Sequence, residues 1–329
     1  MATARQTQVS LQDTPYYHCV TRCVRRSYLC GDDPLTGKSY EHRRDWVEER
    51  LLLLGQIFAM EICAFAVMSN HTHVVVRIDR EQALAWSVEE VLQRWHRLHK
   101  GTLLTQQYLD TQQRKELSDG QVEVVLRSAE QYRQRLYDLS WFMRDLNEYI
   151  ARQANREDRC TGRFWEGRFK SQALLDEAAV LACMAYVDLN PIRAQMAQTP
   201  EQSQHTSIQR RIKAALQGKQ PEELAAFTAP ENDDMAKGLA YAIEDYLELV
   251  EQTGRTLRQD KRGHIAESLP PILERLNITA ENWLTLTTEF ERQFRSAAGR
   301  EASLRTFAAN TQHMRAAGIN SARRLLNSA

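Results

Sequence analysis

The chain has 329 residues, 43% of them apolar and 26% charged, and its 43 Lys/Arg are balanced by 43 Asp/Glu. That much apolar content supports a buried core and excludes a wholly disordered chain. No apolar run approaches the roughly 18 residues of a membrane-spanning helix, so no membrane partner is expected. Residues 1–12 are polar with no apolar signal core, which predicts a cytoplasmic protein.

Residues 16–30 are rich in aromatic, β-branched and Cys residues and lack Gly and Pro, which predicts a strand. Turn signals follow at Asp33-Pro34 and Thr36-Gly37. Trp46, Val47, Leu51, Leu54 and Phe58 recur at helical spacing and predict an amphipathic helix over 42–58. Residues 61–68 read as a second strand, Ser69-Asn70 as a tight turn, and 71–79 as a third strand closing a hairpin. Ser87, with Glu90 three residues on, opens a helix over 87–100 in a capping-box pattern. The order β-α-β-β-α is most of a ferredoxin-like sandwich. The expected class is therefore α+β, an antiparallel sheet with helices on one face.

A helical insert of low apolar content fills 101–136, and a helix is expected over 137–155. Residues 162–174 read as an extended basic-aromatic segment. A helix over 176–189 is capped by Asp176 and stopped at Asn190-Pro191, with a loop to residue 206. Beyond it, loop material is expected over 221–233, a helix over 235–253, a polar linker over 255–271, and helices over 273–298 and 304–326. At roughly 100–200 residues per domain, the expected division is a catalytic unit over 1–200, insert included, and a helical C-terminal extension over 201–329.

Three features can carry chemistry. His71-Thr72-His73 begins the third strand, and strand residues i and i+2 share a face, so both imidazoles project together as a two-ligand metal platform; the alternative is a structural His pair. Tyr186 and Asn190 stand four apart, which on a helix aims a phenol and an amide at one spot; the alternative is a core tyrosine and a helix-end asparagine. In residues 162–171 basic and aromatic side chains interleave (Gly162, Arg163, Phe164, Trp165, Glu166, Gly167, Arg168, Phe169, Lys170, Ser171), as suits stacking on bases and holding phosphates; the alternative is an edge hairpin with core aromatics. Taken together, two His and an oxygen ligand would hold a divalent cation that polarises a phosphate, and a nearby tyrosine would attack phosphorus to form a covalent intermediate. Cys19, Cys23 and Cys30 lack a CxxC pair, so buried thiols are expected and zinc is the alternative.

These motifs, His-x-His at a hairpin end, then Gly162–Lys170, then Tyr-Val-Asp-Leu-Asn-Pro-Ile-Arg-Ala over 186–194, resemble the single-tyrosine HUH transposases, and among them the REP-associated tyrosine transposases. The resemblance covers about residues 16–196. It implies a ferredoxin-like core and a Mg²⁺- or Mn²⁺-dependent nuclease and strand transferase, acting through a 5′-phosphotyrosine on single-stranded DNA near hairpin-forming palindromes. His71, His73 and Asn190 would be the metal ligands and Tyr186 the nucleophile. Thr72 stands where the family has a bulky apolar residue, and Ser69 replaces its turn proline; neither change removes a ligand. Relatives include monomers and homodimers, and either state is open for this chain.

Net charge is zero, but its distribution is uneven. Residues 201–251 hold five Lys/Arg against ten Asp/Glu, and 254–329 hold twelve against seven. Arg22, with Arg25 and Arg26, lies in an acid-free stretch, and Arg163, Arg168 and Lys170 form a second cluster. With Trp165 and Arg193 these are the expected DNA contacts, and Arg258, Lys261 and Arg262 are candidates in the tail. A non-cleaving nucleic-acid-binding module of the same fold is the alternative function. The paired strands offer few aromatics besides Phe65, which argues against RNA stacking on the sheet.

Overall fold

The computed structural model describes residues 8–24, 29–33, 37–228, 238–257, 271–311 and 316–326. Strands β1 (Tyr16–Arg22), β2 (Met60–Val67), β3 (His71–Ile78), β4 (Lys170–Leu174) and β5 (Ala297–Ala298) form one sheet in the order β2-β3-β1-β4-β5. The first four are antiparallel neighbours, which is the strand order of a ferredoxin-like sheet. The two-residue β5 adds in parallel to β4.

The helices, in chain order, are α1 (Arg43–Ile57), α2 (Arg80–Ala85), α3 (Val88–His96), α4 (Leu103–Leu109), α5 (Asp119–Leu136), α6 (Leu139–Glu157), α7 (Glu177–Asp188), α8 (Asn190–Arg193), α9 (Ser207–Ala215), α10 (Ile243–Leu257), α11 (Pro271–Leu276), α12 (Ala280–Gln293), α13 (Glu301–Asn310) and α14 (Ile319–Leu325). Their starts follow side-chain chemistry. The Ser87, Asp138, Asp176, Thr206 and Thr279 side chains each accept a backbone N–H from the first turn of the helix they precede, satisfying donors the helix itself leaves open.

Strand alternation gives the sheet two unlike faces. Tyr17, Cys19, Val74, Val76 and Ala173 are buried on the side of α1 and α6, where the Asn147 amide donates to the Thr21 hydroxyl at 3.2 Å. Helices are expected on that one face. The opposite face, carrying His18, His73 and Gln172, is covered as well, by α7 and α12.

Both sides of the sheet are closed by chain from beyond residue 200. On β2, the Val67 amide donates to the His205 carbonyl, the Phe65 amide to the Ser207 hydroxyl, and the Ala225 amide to the Ile62 carbonyl. On β4, the Ala173 and Leu175 amides donate to the Ser296 and Ala298 carbonyls. Beneath β2, buried Asp188 accepts from Ser207, Tyr246 and the Ile208 amide, and the fully buried Arg211 beside it donates to the Cys63 and Ala225 carbonyls. Burial pushes the Asp188 carboxyl up to about 6 against the pull of those donors and of Arg211.

The structure differs from the sequence expectations in several places. β1 ends at Arg22 rather than near residue 30, and Cys23 then pairs with Trp165 in a single bridge. Asn190 does not stop a helix: α7 ends at Asp188 and α8 starts at once, because a proline in the first turn of a helix costs no hydrogen bond. The helix expected from 235 begins at Ile243. The helix expected over 273–298 is α11, α12 and β5, divided at Asn277, whose φ of 54° ends α11 in a left-handed turn. Arg25, Arg26 and the linker cations Arg258, Lys261 and Arg262 lie outside the described residues.

Candidate functional site: a histidine cluster facing a tyrosine

The site is built on the face of β1 and β3 that looks toward α7. The register pairs Val20 with His73 and Arg22 with His71, so His18, His71 and His73 all project from that face. His71 and His73 have ring centroids 4.8 Å apart, and His73 stacks on His18 at 5.2 Å. The Tyr186 ring on α7 meets His73 edge-on at 5.8 Å and His18 at 6.4 Å. Phenol and imidazoles, more than a hundred residues apart in sequence, therefore converge.

A chain of hydrogen bonds sets the protonation of the two inner rings. The Gln172 amide N–H donates to the Phe294 carbonyl at 2.7 Å, which turns its oxygen toward His18 Nδ1, 3.2 Å away. An oxygen there requires His18 Nδ1 to carry the proton, so His18 Nε2 presents a lone pair. His73 Nδ1 lies 2.9 Å from that lone pair and donates to it. Glu291 on α12 places a carboxylate oxygen 3.4 Å from His73 Nδ1. His71, at the strand end, is held through Nδ1 by the Asn70 side-chain oxygen at 2.5 Å.

Burial holds all three imidazoles neutral. It depresses His71 to about 4, aided by the positive field of Arg22 and Arg193, and it lowers His18 and His73 as well. Burial and the nearby Glu291 carboxylate push the Tyr186 phenol up to about 12, while Arg193 opposes them. The Arg193 guanidinium lies 3.9 Å over the Tyr186 ring and donates to the Tyr186 and Thr287 carbonyls.

Among the described residues, His18, His73 and Glu291 form the group of acidic, thiol and imidazole side chains able to hold a metal ion, with ligand atoms all within 4.8 Å of one another. Sequence reasoning missed two of the three. His18 sits in an otherwise apolar strand, and Glu291 lies in the C-terminal part of the chain with no local motif around it. The strand register would have found His18, since it shares a face with His73. Nothing local marks Glu291.

The other expected residues are distributed as follows. Asn190 is buried at the start of α8, and its Nδ2 has no hydrogen-bond partner. Arg22, Arg163, Arg168 and Lys170 are exposed. Trp165 departs from its expected place on the surface: it is 9% exposed, stands edge-on to Phe164 and donates its indole N–H to the Asn147 carbonyl, which commits the ring to the core. Arg193 is likewise committed, to Tyr186 and α12. Cys19, Cys23 and Cys30 are buried free thiols, and burial pushes Cys30 up to about 12, the state of an inert thiol and not of a zinc ligand. No helix among the described residues is long and apolar enough to cross a membrane.

The strand order and the helices place the chain in the α+β class. No protein-family model matches the chain, and no curated protein does. A solved structure of a REP-associated tyrosine transposase bound to a REP hairpin is similar over 72% of this chain and 97% of that one, at 12% identity and a TM-score of 0.38.

Proposed function

We propose that the chain is a metal-dependent single-strand DNA endonuclease and strand transferase of the HUH single-tyrosine type, acting on hairpin-forming repeat DNA, with Tyr186 as nucleophile. The observation that carries this reading is the meeting of the Tyr186 ring with His73 and His18 on one sheet face, at 5.8 and 6.4 Å. A phenol beside neutral imidazoles is the donor set of a metal-assisted phosphoryl transfer. The catalytic unit is residues 1–200, and residues 201–329 are a helical extension to it.

His71 and His73 are the imidazoles the motif assigns to a divalent cation, Mg²⁺ or Mn²⁺, with Asn190 as the oxygen ligand. The fit rests on donor chemistry: the imidazoles are neutral, and the Asn190 amide is buried with an open valence. When bound, the cation would polarise a phosphate oxygen. The protein's own part is to hold Tyr186 and to ease loss of its proton. Arg193, over the ring, favours the phenolate against burial and Glu291. In the reaction the Tyr186 Oη–P bond forms, the P–O3′ bond breaks, the phenol proton leaves to solvent and the departing 3′ oxygen takes one up. The DNA contacts proposed are the exposed Arg22, Arg163, Arg168 and Lys170.

A second reading, a non-cleaving nucleic-acid-binding module, is favoured by one observation: α12 lies over the phenol, with Phe290 5.9 Å from the Tyr186 ring. Incubation with a labelled hairpin oligonucleotide and Mn²⁺ separates the two. A covalent adduct present in the native chain and absent in Tyr186→Phe supports cleavage; tight binding with no adduct at any metal concentration supports the module.

A further inference from the structure

We propose that the cation is held by His18, His73 and Glu291, so that the C-terminal extension completes the metal site. This rests on the reading above that the histidine face takes a divalent cation, and it changes which residues do so.

Three observations carry it. First, the spacing is that of a coordination shell. An octahedral ion with bonds of about 2.1 Å separates adjacent ligand atoms by about 3 Å. His18 Nε2 and His73 Nδ1 are 2.9 Å apart, and a Glu291 oxygen is 3.4 Å from His73 Nδ1. Two imidazoles and a carboxylate are a donor set that divalent transition metals accept. An ion there replaces the hydrogen bond between the rings, and the His73 proton moves to Nε2.

Second, His18 is oriented as a ligand is. A metal-bound histidine donates its other ring N–H to a carbonyl or carboxylate, which fixes its tautomer. His18 does this to Gln172, and Gln172 is itself fixed by the Phe294 carbonyl at the end of α12. Gln172 is thus a positioning residue. The histidine of the upstream motif, His71, has its Nδ1 taken by Asn70 at the strand end.

Third, α12 is bent where it meets the site. Glu289 leaves the helical conformation, with φ −122° and ψ 20°, and the two residues after it are Phe290, on Tyr186, and Glu291, on His73. One short stretch of α12 therefore supplies a carboxylate, covers the nucleophile and, through Phe294, sets the tautomer of His18.

The test is a Co²⁺ titration of the full chain followed by visible absorption, with Mn²⁺ binding by electron paramagnetic resonance alongside. Glu291→Gln should weaken Co²⁺ by at least about 10-fold and shift the absorption band, and Gln172→Met, which alters no charge, should weaken it by roughly 10-fold. Asn190→Ala should bind Co²⁺ as the native chain does. Native-like Co²⁺ affinity in Glu291→Gln, or loss of binding in Asn190→Ala instead, overturns this ligand set and leaves the proposed activity standing. No Co²⁺ or Mn²⁺ binding by the native chain overturns both the ligand set and the metal dependence.

Discussion

The same strands present two buried faces, and the faces do different work. Toward α1 and α6 the sheet offers Tyr17, Cys19, Val74 and Val76, closed by aromatic packing such as Phe58 against Phe142 at 5.4 Å. Toward α7 and α12 it offers His18, His73 and Gln172, equally hidden from water but joined in a polar chain. A buried polar chain is stable only when its members are paired, so it fixes protonation and orientation as well as position. The first face specifies the fold; the second uses that rigidity to aim nitrogens and a phenol at one place.

Substitutions should separate the two faces. The largest effect is expected for Tyr186→Phe, which should lower covalent adduct yield on a hairpin oligonucleotide by at least about 10³-fold, as loss of a nucleophile does, with urea stability near native. An adduct of native yield in this variant would remove Tyr186 from the chemistry. On the apolar face, Phe142→Ala should cost about 3–5 kcal/mol in urea unfolding and leave Co²⁺ affinity unchanged; a fall in affinity in the folded variant would show that the faces are not separable. Asp188→Ala should cost a similar 3–5 kcal/mol, because it strands the buried Arg211 charge.

Acid should act on the polar face alone. Burial depresses the three imidazoles, His71 to about 4 from an ordinary 6.5. Between those values the unfolded chain binds more protons than the folded one, so this part of the stability is complete above pH about 6.5 and is lost as pH falls toward 4. Urea midpoints at pH 8 and pH 5 should fall accordingly, and the drop should shrink in His73→Gln. The smallest effect is expected at the exposed Arg163: Arg163→Ala should weaken hairpin binding a few-fold and reduce the slope of affinity against salt by about 1, measured by fluorescence anisotropy.

Legibility in the sequence followed the range of the interactions. The β-α-β-β segment could be read because each element there carries its own period, and His71-Thr72-His73 could be placed on one face by strand alternation alone. Tyr186 was visible through its motif. Glu291 was not, since its neighbours in α12 read as an ordinary amphipathic helix and its partner is in β3. Trp165 misled for a related reason: a basic-aromatic run looks alike whether its rings face solvent or the core, and only the bridge from Cys23 to Trp165 decides it. The cut between α11 and α12 did leave a local trace, an Asn in a left-handed turn followed by the capping Thr279.

The closure of β2 and β4 by later chain has a practical consequence. A fragment ending near residue 200 would keep His18, His73 and Tyr186 but bare two ribbons of unsatisfied backbone, which favour sheet-to-sheet polymerisation. Inactivity of such a fragment would then report insolubility before it reported chemistry, and mapping by deletion would credit the tail with a role in catalysis for the wrong reason. Point substitutions in the intact chain avoid that confusion.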